Sequence, residues 1–248
     1  MSDPLTALAL VLALAAGLGA AITVAQHLQS GHMEFFRHYL SQLLFFNLLI
    51  LSGLVYRFMQ PTAALPAAGV PLALTVMAAL KLAWLYTFGM SARMLEGRAA
   101  SGRRVRAAGF SGLAVLLAYT ALSWTAWFRH WPTLLNVSVI VLEVLVIGGA
   151  LLVSAWVLAR GRRAPRGPQR RATLAYGGFH LLLLLSMLGV LTASWSAGDE
   201  GMKAAGWMSG LLLLVYNLFP TAWIRHYPGA SAPAAEDRFV AYGVTPRE

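Results

Sequence analysis

Lys81, Glu143 and His180 are three ionisable residues that stand inside long apolar stretches of this sequence. An ionisable group surrounded by hydrocarbon is costly, so each demands a partner or a task. Lys81 lies in Leu80-Lys81-Leu82 and Glu143 in Leu142-Glu143-Val144. Each stands about 11 residues into its stretch, about 16 Å deep at a helical rise of about 1.5 Å per residue. Equal depth makes an ion pair geometrically possible, and removing one partner would strand a buried charge. His180 is the natural protonation switch, because imidazole titrates near neutral pH. Asn47 and Asn217 fall at a depth similar to that of His180, and Ser41, Ser186 and Tyr216 are candidates to join a polar network. Asn217 precedes Pro220 by three residues. Proline removes a backbone hydrogen bond from a helix, and a nearby amide can satisfy the freed carbonyl, so the two together read as a hinge.

Two readings of Lys81, Glu143, His180, Asn47 and Asn217 stay open. They are interhelical glue, worth about 0.6–2 kcal/mol each, or they line a pocket that binds a ligand or changes protonation. In the second reading Lys81 and Glu143 form a two-state element, since protonating Glu143 would break the pair.

Other chemistries find less support. His27, His32 and His38 fall in one short region, and His226 belongs to the same side of the chain's topology. Imidazoles ligate metals and haem, but no His pair stands at helical ligand spacing with a carboxylate, and Glu34 is the sole acid nearby. The absence of cysteine excludes disulfides, thiol catalysis and thiolate metal sites. A serine-hydrolase triad would have to draw its acid from Asp3, Glu143, Asp199 or Glu200. A retinal Schiff base needs a lysine within the last apolar stretch, and Lys203 stands at that stretch's end. The expectation is a protein without enzymatic activity, metal or cofactor.

The elements that position these residues follow from composition. The 248 residues are 58% hydrophobic and 11% charged, with a mean hydropathy of +0.66, whereas an ordinary soluble domain is about 25% charged. A chain so apolar cannot cover its surface in water, which excludes a soluble globular domain and a disordered chain. Seven stretches approach the roughly 20 apolar residues of a bilayer-spanning helix: 4–26, 39–58, 70–90, 109–128, 133–159, 173–194 and 204–224. None alternates as the strands of an outer-membrane barrel do. The predicted fold is an all-α integral membrane protein, a seven-transmembrane-helix bundle over residues 1–226.

Charge orients the bundle. There are 19 Lys and Arg against 9 Asp and Glu. Region 91–108 carries Arg93, Arg98, Arg103, Arg104 and Arg106 against Glu96, and region 160–171 carries Arg160, Arg162, Arg163, Arg166, Arg170 and Arg171 with no acid. Both fall on one side, which the positive-inside rule makes cytoplasmic; the N-terminus is then outside and the C-terminus inside. Trp124, Trp127, Trp131, Trp195 and Trp207 gather near the opposite ends, where indoles favour the interface. The arginine loops read as orientation signals that can also attract anionic lipid. They lack the interleaved aromatics that nucleic-acid stacking requires.

Two further features bear on assembly. Gly148, Gly149 and Ala150, and the GxxxG-spaced Gly206 and Gly210, permit close helix approach, either within one chain or in a homodimer. After the last apolar stretch, residues 227–238 read as a linker rich in Pro and small residues. The segment 239–248 follows. Within it Thr245 suits an N-cap, Pro246 the first helical position, and Glu248 the reciprocal capping position. A helix start with no helix after it is the expected signature of a second domain cut at its edge.

Tyr242-Gly243-Val244-Thr245-Pro246-Arg247-Glu248 resembles the entry to a LuxR-type helix-turn-helix domain, which usually opens Leu-Thr-Pro-Arg-Glu; Val244 stands where Leu is common. The spacing of Phe239 to Tyr242-Gly243 fits the same lead-in. The apolar part, including Tyr39-Leu40-Ser41-Gln42-Leu43-Leu44-Phe45-Phe46-Asn47-Leu48-Leu49, more diffusely resembles the seven-helix membrane domains that precede such domains in some bacterial regulators. The resemblance implies a receptor of the bacterial inner membrane that relays a small-molecule or lipid signal to a cytoplasmic DNA-binding domain, acting as a dimer. DNA would be contacted only through that further domain. A transporter or channel using Lys81, Glu143 and His180 is the alternative reading.

Overall fold

The computed structural model describes residues 4–27, 33–59, 69–95, 102–196 and 198–224. Among these residues it is all-helical, with seven helices: α1 (Pro4–Gln26), α2 (Met33–Met59), α3 (Gly69–Met94), α4 (Gly102–Phe128), α5 (Pro132–Arg163), α6 (Pro168–Ser196) and α7 (Gly198–Trp223). Helices α1 to α6 are long and apolar enough to cross a membrane. Helix α7 carries Tyr216, Asn217, Pro220 and Trp223, and Tyr216, Asn217 and Trp223 are buried against the other helices. The linker 227–238, the segment 239–248, His32, Glu96, Arg98 and His226 lie outside the described residues.

The helices outrun the apolar stretches that predicted them. Helix α2 begins at Met33 rather than 39, since Phe35 and Phe36 are already buried in the bundle. Much of the two arginine regions is helix rather than loop. Arg93 ends α3, Arg103 to Arg106 open α4, Arg160 to Arg163 end α5, and Arg170 and Arg171 open α6. Asp199, Glu200 and Lys203 likewise stand on the first turns of α7. A helix has no reason to stop where the hydrocarbon stops, since its backbone bonds remain favourable and long basic side chains reach out to water. Basic groups at the C-terminal ends of α3 and α5 also complement the helix dipole. Only Ala164 to Gly167 separates α5 from α6. Pro165 stops α5 there, and the Ala164 N–H closes on the carbonyls of Arg160 and Gly161. The turn from α4 to α5 is also tight. His130 takes a left-handed φ of 55°, and the Trp131 N–H reaches back to the Ala126 carbonyl at 2.8 Å.

Successive helices pack side by side and α7 returns to α1, so the bundle closes into a ring. Helix α3 also touches α5 directly, which pushes α4 to the outside. Only 6% of the apolar stretch of α4 is buried, against 39% for α1. The α1–α7 contact is the most extensive, and small residues make it. A Cβ added at Gly210 would stand 2.6 Å from the Ala9 Cβ, and one at Gly206 would stand 2.9 Å from the Thr6 hydroxyl. The GxxxG face of α7 is thus taken up within the chain. Gly149 does the same for α3 and α5, where an added Cβ would lie 2.9 Å from Leu85. The outer surface is a belt of exposed Leu, Val, Ile and Phe, while glutamine, histidine and asparagine are buried inside. This inverts a soluble protein, as a lipid solvent requires.

Candidate functional site

The middle of the ring is organised by Gln42, which is fully buried on α2. Its position follows from helical spacing: Tyr39, Gln42, Leu43, Phe46 and Ile50 form the buried stripe of α2. The Gln42 amide nitrogen donates to the Tyr216 hydroxyl on α7 at 2.8 Å. It also meets His180 Nε2 on α6 at 3.3 Å. The Gln42 oxygen accepts from the Tyr176 hydroxyl at 2.9 Å, and Trp84 on α3 donates to the Tyr216 hydroxyl at 3.1 Å. One amide therefore joins α2, α6 and α7, with α3 attached through Tyr216. His180 Nδ1 lies 2.8 Å from the Tyr176 carbonyl. A carbonyl only accepts, so Nδ1 carries the proton and Nε2 offers its lone pair to the Gln42 amide. The His180 ring stacks on Phe88 with centroids 4.7 Å apart. Phe179 and Tyr216 meet it edge to face.

A second amide assembly stands beside Tyr216. Asn217 donates to the Asn47 oxygen at 2.9 Å and to the Ala13 carbonyl of α1 at 2.7 Å. Asn47 donates in return to the Asn217 oxygen at 3.2 Å and to the Leu43 carbonyl at 2.8 Å. Each amide group uses both its hydrogens, so two asparagines bind α1, α2 and α7 together. The Asn47 side chain fits because residue 17 is glycine; a Cβ there would overlap its amide.

The third assembly is the Lys81–Glu143 ion pair, which bridges α3 and α5. Its side chains are 16% and 37% exposed. The pair lies toward α4, whose Tyr119 hydrogen-bonds Ser123 and stands within electrostatic reach of Glu143. Nearby polar contacts hold α4 in place. Trp124 donates to the Thr75 hydroxyl at 3.1 Å, and the Ser123 and Ser138 hydroxyls lie 3.4 Å apart.

The structure thus brings Lys81 to Glu143 and Asn47 to Asn217, and it sets His180 at the ring's centre. Among the described residues no hydrogen bond joins His180 to the ion pair, so the three ionisable groups form no single network. Sequence reading missed Gln42, although it follows Ser41 directly. One residue turns a helix by about 100°, so Gln42 faces the interior while Ser41 is part-exposed and bonds back to the Arg37 carbonyl at 3.0 Å. Ser186 is also exposed rather than part of the network. The expected use of Asn217 changes too. Its amide nitrogen reaches across to α1 and α2 rather than to a carbonyl freed by Pro220, and α7 continues past Pro220 to Trp223. Of the histidines expected near one end, His27 bonds back to the Thr23 carbonyl at 2.8 Å and packs on Phe36. Among the described residues no three His, Asp or Glu side chains converge.

The apolar helices, the exposed aliphatic belt and the buried amides define a membrane-embedded, multi-pass helical protein. Comparison with known protein families, curated proteins and solved structures finds no match.

Proposed function

We propose that the chain is the sensing and signal-transducing membrane domain of a bacterial one-component transcription regulator, with α7 as its output rod. All seven helices span the inner membrane in this reading, and the arginine-rich end faces the cytoplasm by the positive-inside rule. The observation that carries the proposal is the bonding of α7. Tyr216 and Asn217 are successive residues of α7. One is bonded to the Gln42 centre and the other to α1 and α2. A signal that rearranges the ring's polar centre has to move α7, and with it the tail that resembles a helix-turn-helix entry. At the arginine-rich end, Trp223 donates to the Ala172 carbonyl of α6 at 3.1 Å, a contact that a shift of α7 would break or remake. Pro220 is the hinge in this scheme, because the missing N–H softens the last turn.

The sensor reading is favoured over a transporter because the ring's interior is packed with fully buried Tyr39, Tyr176, Tyr216, Phe36 and Phe88. Such packing is poor ground for a watered path. The separation of His180 from Lys81 and Glu143 also removes the relay that a transporter would need. Reading the coding sequence past codon 248 tests the proposal. A continuous helix-turn-helix is expected, and a stop codon at that point would sink it.

A further inference from the structure

A groove of about 790 Å³ runs between α3, α4 and α5 on the outside of the ring. That volume lies within the about 300–1,000 Å³ of small-molecule pockets. Its lining is mainly apolar, with Leu82, Leu85 and Met90 on α3, Val115 on α4, and Trp156 on α5; Arg93 closes one end. Along α3 it extends from Leu82 to Arg93, about 16 Å at about 1.5 Å per residue. That is about half of a hydrocarbon core about 30 Å thick, the depth of one leaflet.

Two glycines keep the groove open. Glycine inside a helix is destabilising relative to alanine; some helical glycines here are taken up by close contacts, as at Gly17, Gly149, Gly206 and Gly210, and others, such as Gly19, Gly53, Gly109 and Gly148, have open space beside them. Gly89 and Gly112 are of the second kind and line the groove, where a Cβ added at either would meet no atom within 4 Å, so the missing side chains give the groove part of its width. The groove also ends where positive charge gathers. Arg93 lines it, Arg103 and Arg106 stand on the first turns of α4, and Arg160 stands one turn beyond Trp156. On α3, α4 and α5 the charged residues at this end are all arginine.

We propose that this groove holds an anionic phospholipid from the surrounding bilayer, with an acyl chain along Gly89 and Gly112 and its phosphate at Arg93. Chain length, apolar lining and basic mouth match one lipid of one leaflet. The proposal does not rest on the sensor reading, since a lipid can be held here whether or not the bundle signals.

Native mass spectrometry of the purified chain tests it, with phosphatidylglycerol and phosphatidylcholine of identical acyl chains added in equal amounts. The wild type is expected to retain the anionic lipid about tenfold better, as one charge-assisted contact allows. Arg93→Gln should abolish that preference while retaining lipid. Gly112→Leu should abolish retention of both lipids by filling the groove; should that variant not fold, Gly89→Val replaces it. Arg162→Gln, at the same end but outside the groove lining, should change nothing. Equal retention of the two lipids by the wild type would overturn the proposal. So would an equal loss in Arg162→Gln and Arg93→Gln, which would make the attraction a diffuse effect of surface charge.

Discussion

The two polar regions inside this bundle solve the same problem in opposite ways. The Gln42 centre is neutral and sealed, with Gln42, Tyr176, His180 and Tyr216 all at most 2% exposed. The Lys81–Glu143 pair is charged and left part-open, its glutamate 37% exposed. A neutral amide can be buried completely because each of its hydrogens and lone pairs can find a partner. Burying an ion pair costs desolvation that its own attraction barely repays. The sealed region can therefore hold the ring together, whereas the open one keeps contact with a changeable environment. The difference predicts that stability resides mainly in the amides and that the charges contribute less.

The largest expected effect comes from Gln42→Leu. It removes the acceptor of the Tyr176 hydroxyl, the amide that faces the His180 Nε2 lone pair, and one of the two donors to the Tyr216 hydroxyl, at about 1–3 kcal/mol for each buried group left unsatisfied. A loss of about 3–5 kcal/mol in thermal unfolding in detergent is predicted. A smaller loss than that of Lys81→Met would break the comparison outright. Next comes Gly17→Ala, which drives a methyl into the Asn47 amide and should cost about 2–3 kcal/mol through overpacking and lost hydrogen bonds. In an Asn47→Ala background the same change should cost far less, because the clashing amide is gone; chemical denaturation of the four proteins of that cycle decides it.

Lys81→Met should cost about 1–2 kcal/mol, between the values for exposed and for buried ion pairs. Glu143→Gln should cost a similar amount, and the double variant less than the sum of the two. Strict additivity would show that the pair does not interact in solution. The smallest effect sharpens the comparison by lying outside both regions. His130→Gly relieves a left-handed backbone and should stabilise by about 0.5–1 kcal/mol, read as a raised midpoint in calorimetry; an unchanged or lowered midpoint would place the strain elsewhere.

Much of this architecture is legible in the residues alone. Each apolar stretch overlaps a described helix, six of them long and apolar enough to cross a membrane, and the shared depth of Lys81 and Glu143 anticipates their meeting. The helix ends are less legible, because hydropathy marks where the hydrocarbon stops and Arg103 to Arg106 remain helical beyond it. The centre of the site is the least legible part. Ser41 and Gln42 are adjacent polar residues in the same apolar stretch, and composition ranks neither above the other. A helix in water reveals its inner face by its apolar stripe. A helix in lipid is apolar on every side, so its inner face carries no such mark.

By itself, then, the sequence determined residence in a membrane, an all-helical bundle and the end of the bundle at which positive charge gathers. Those properties depend on the length and polarity of contiguous segments, which are local. Tertiary structure alone decided that Gln42 rather than Ser41 enters the ring. It also decided that Asn217 bonds α1 and α2 rather than its own helix, and that His180 stands apart from Lys81 and Glu143. Those outcomes depend on how each helix is rotated about its axis. That rotation is set by close contacts such as Gly17 on Asn47 and Gly210 on Ala9, which join residues far apart in the chain.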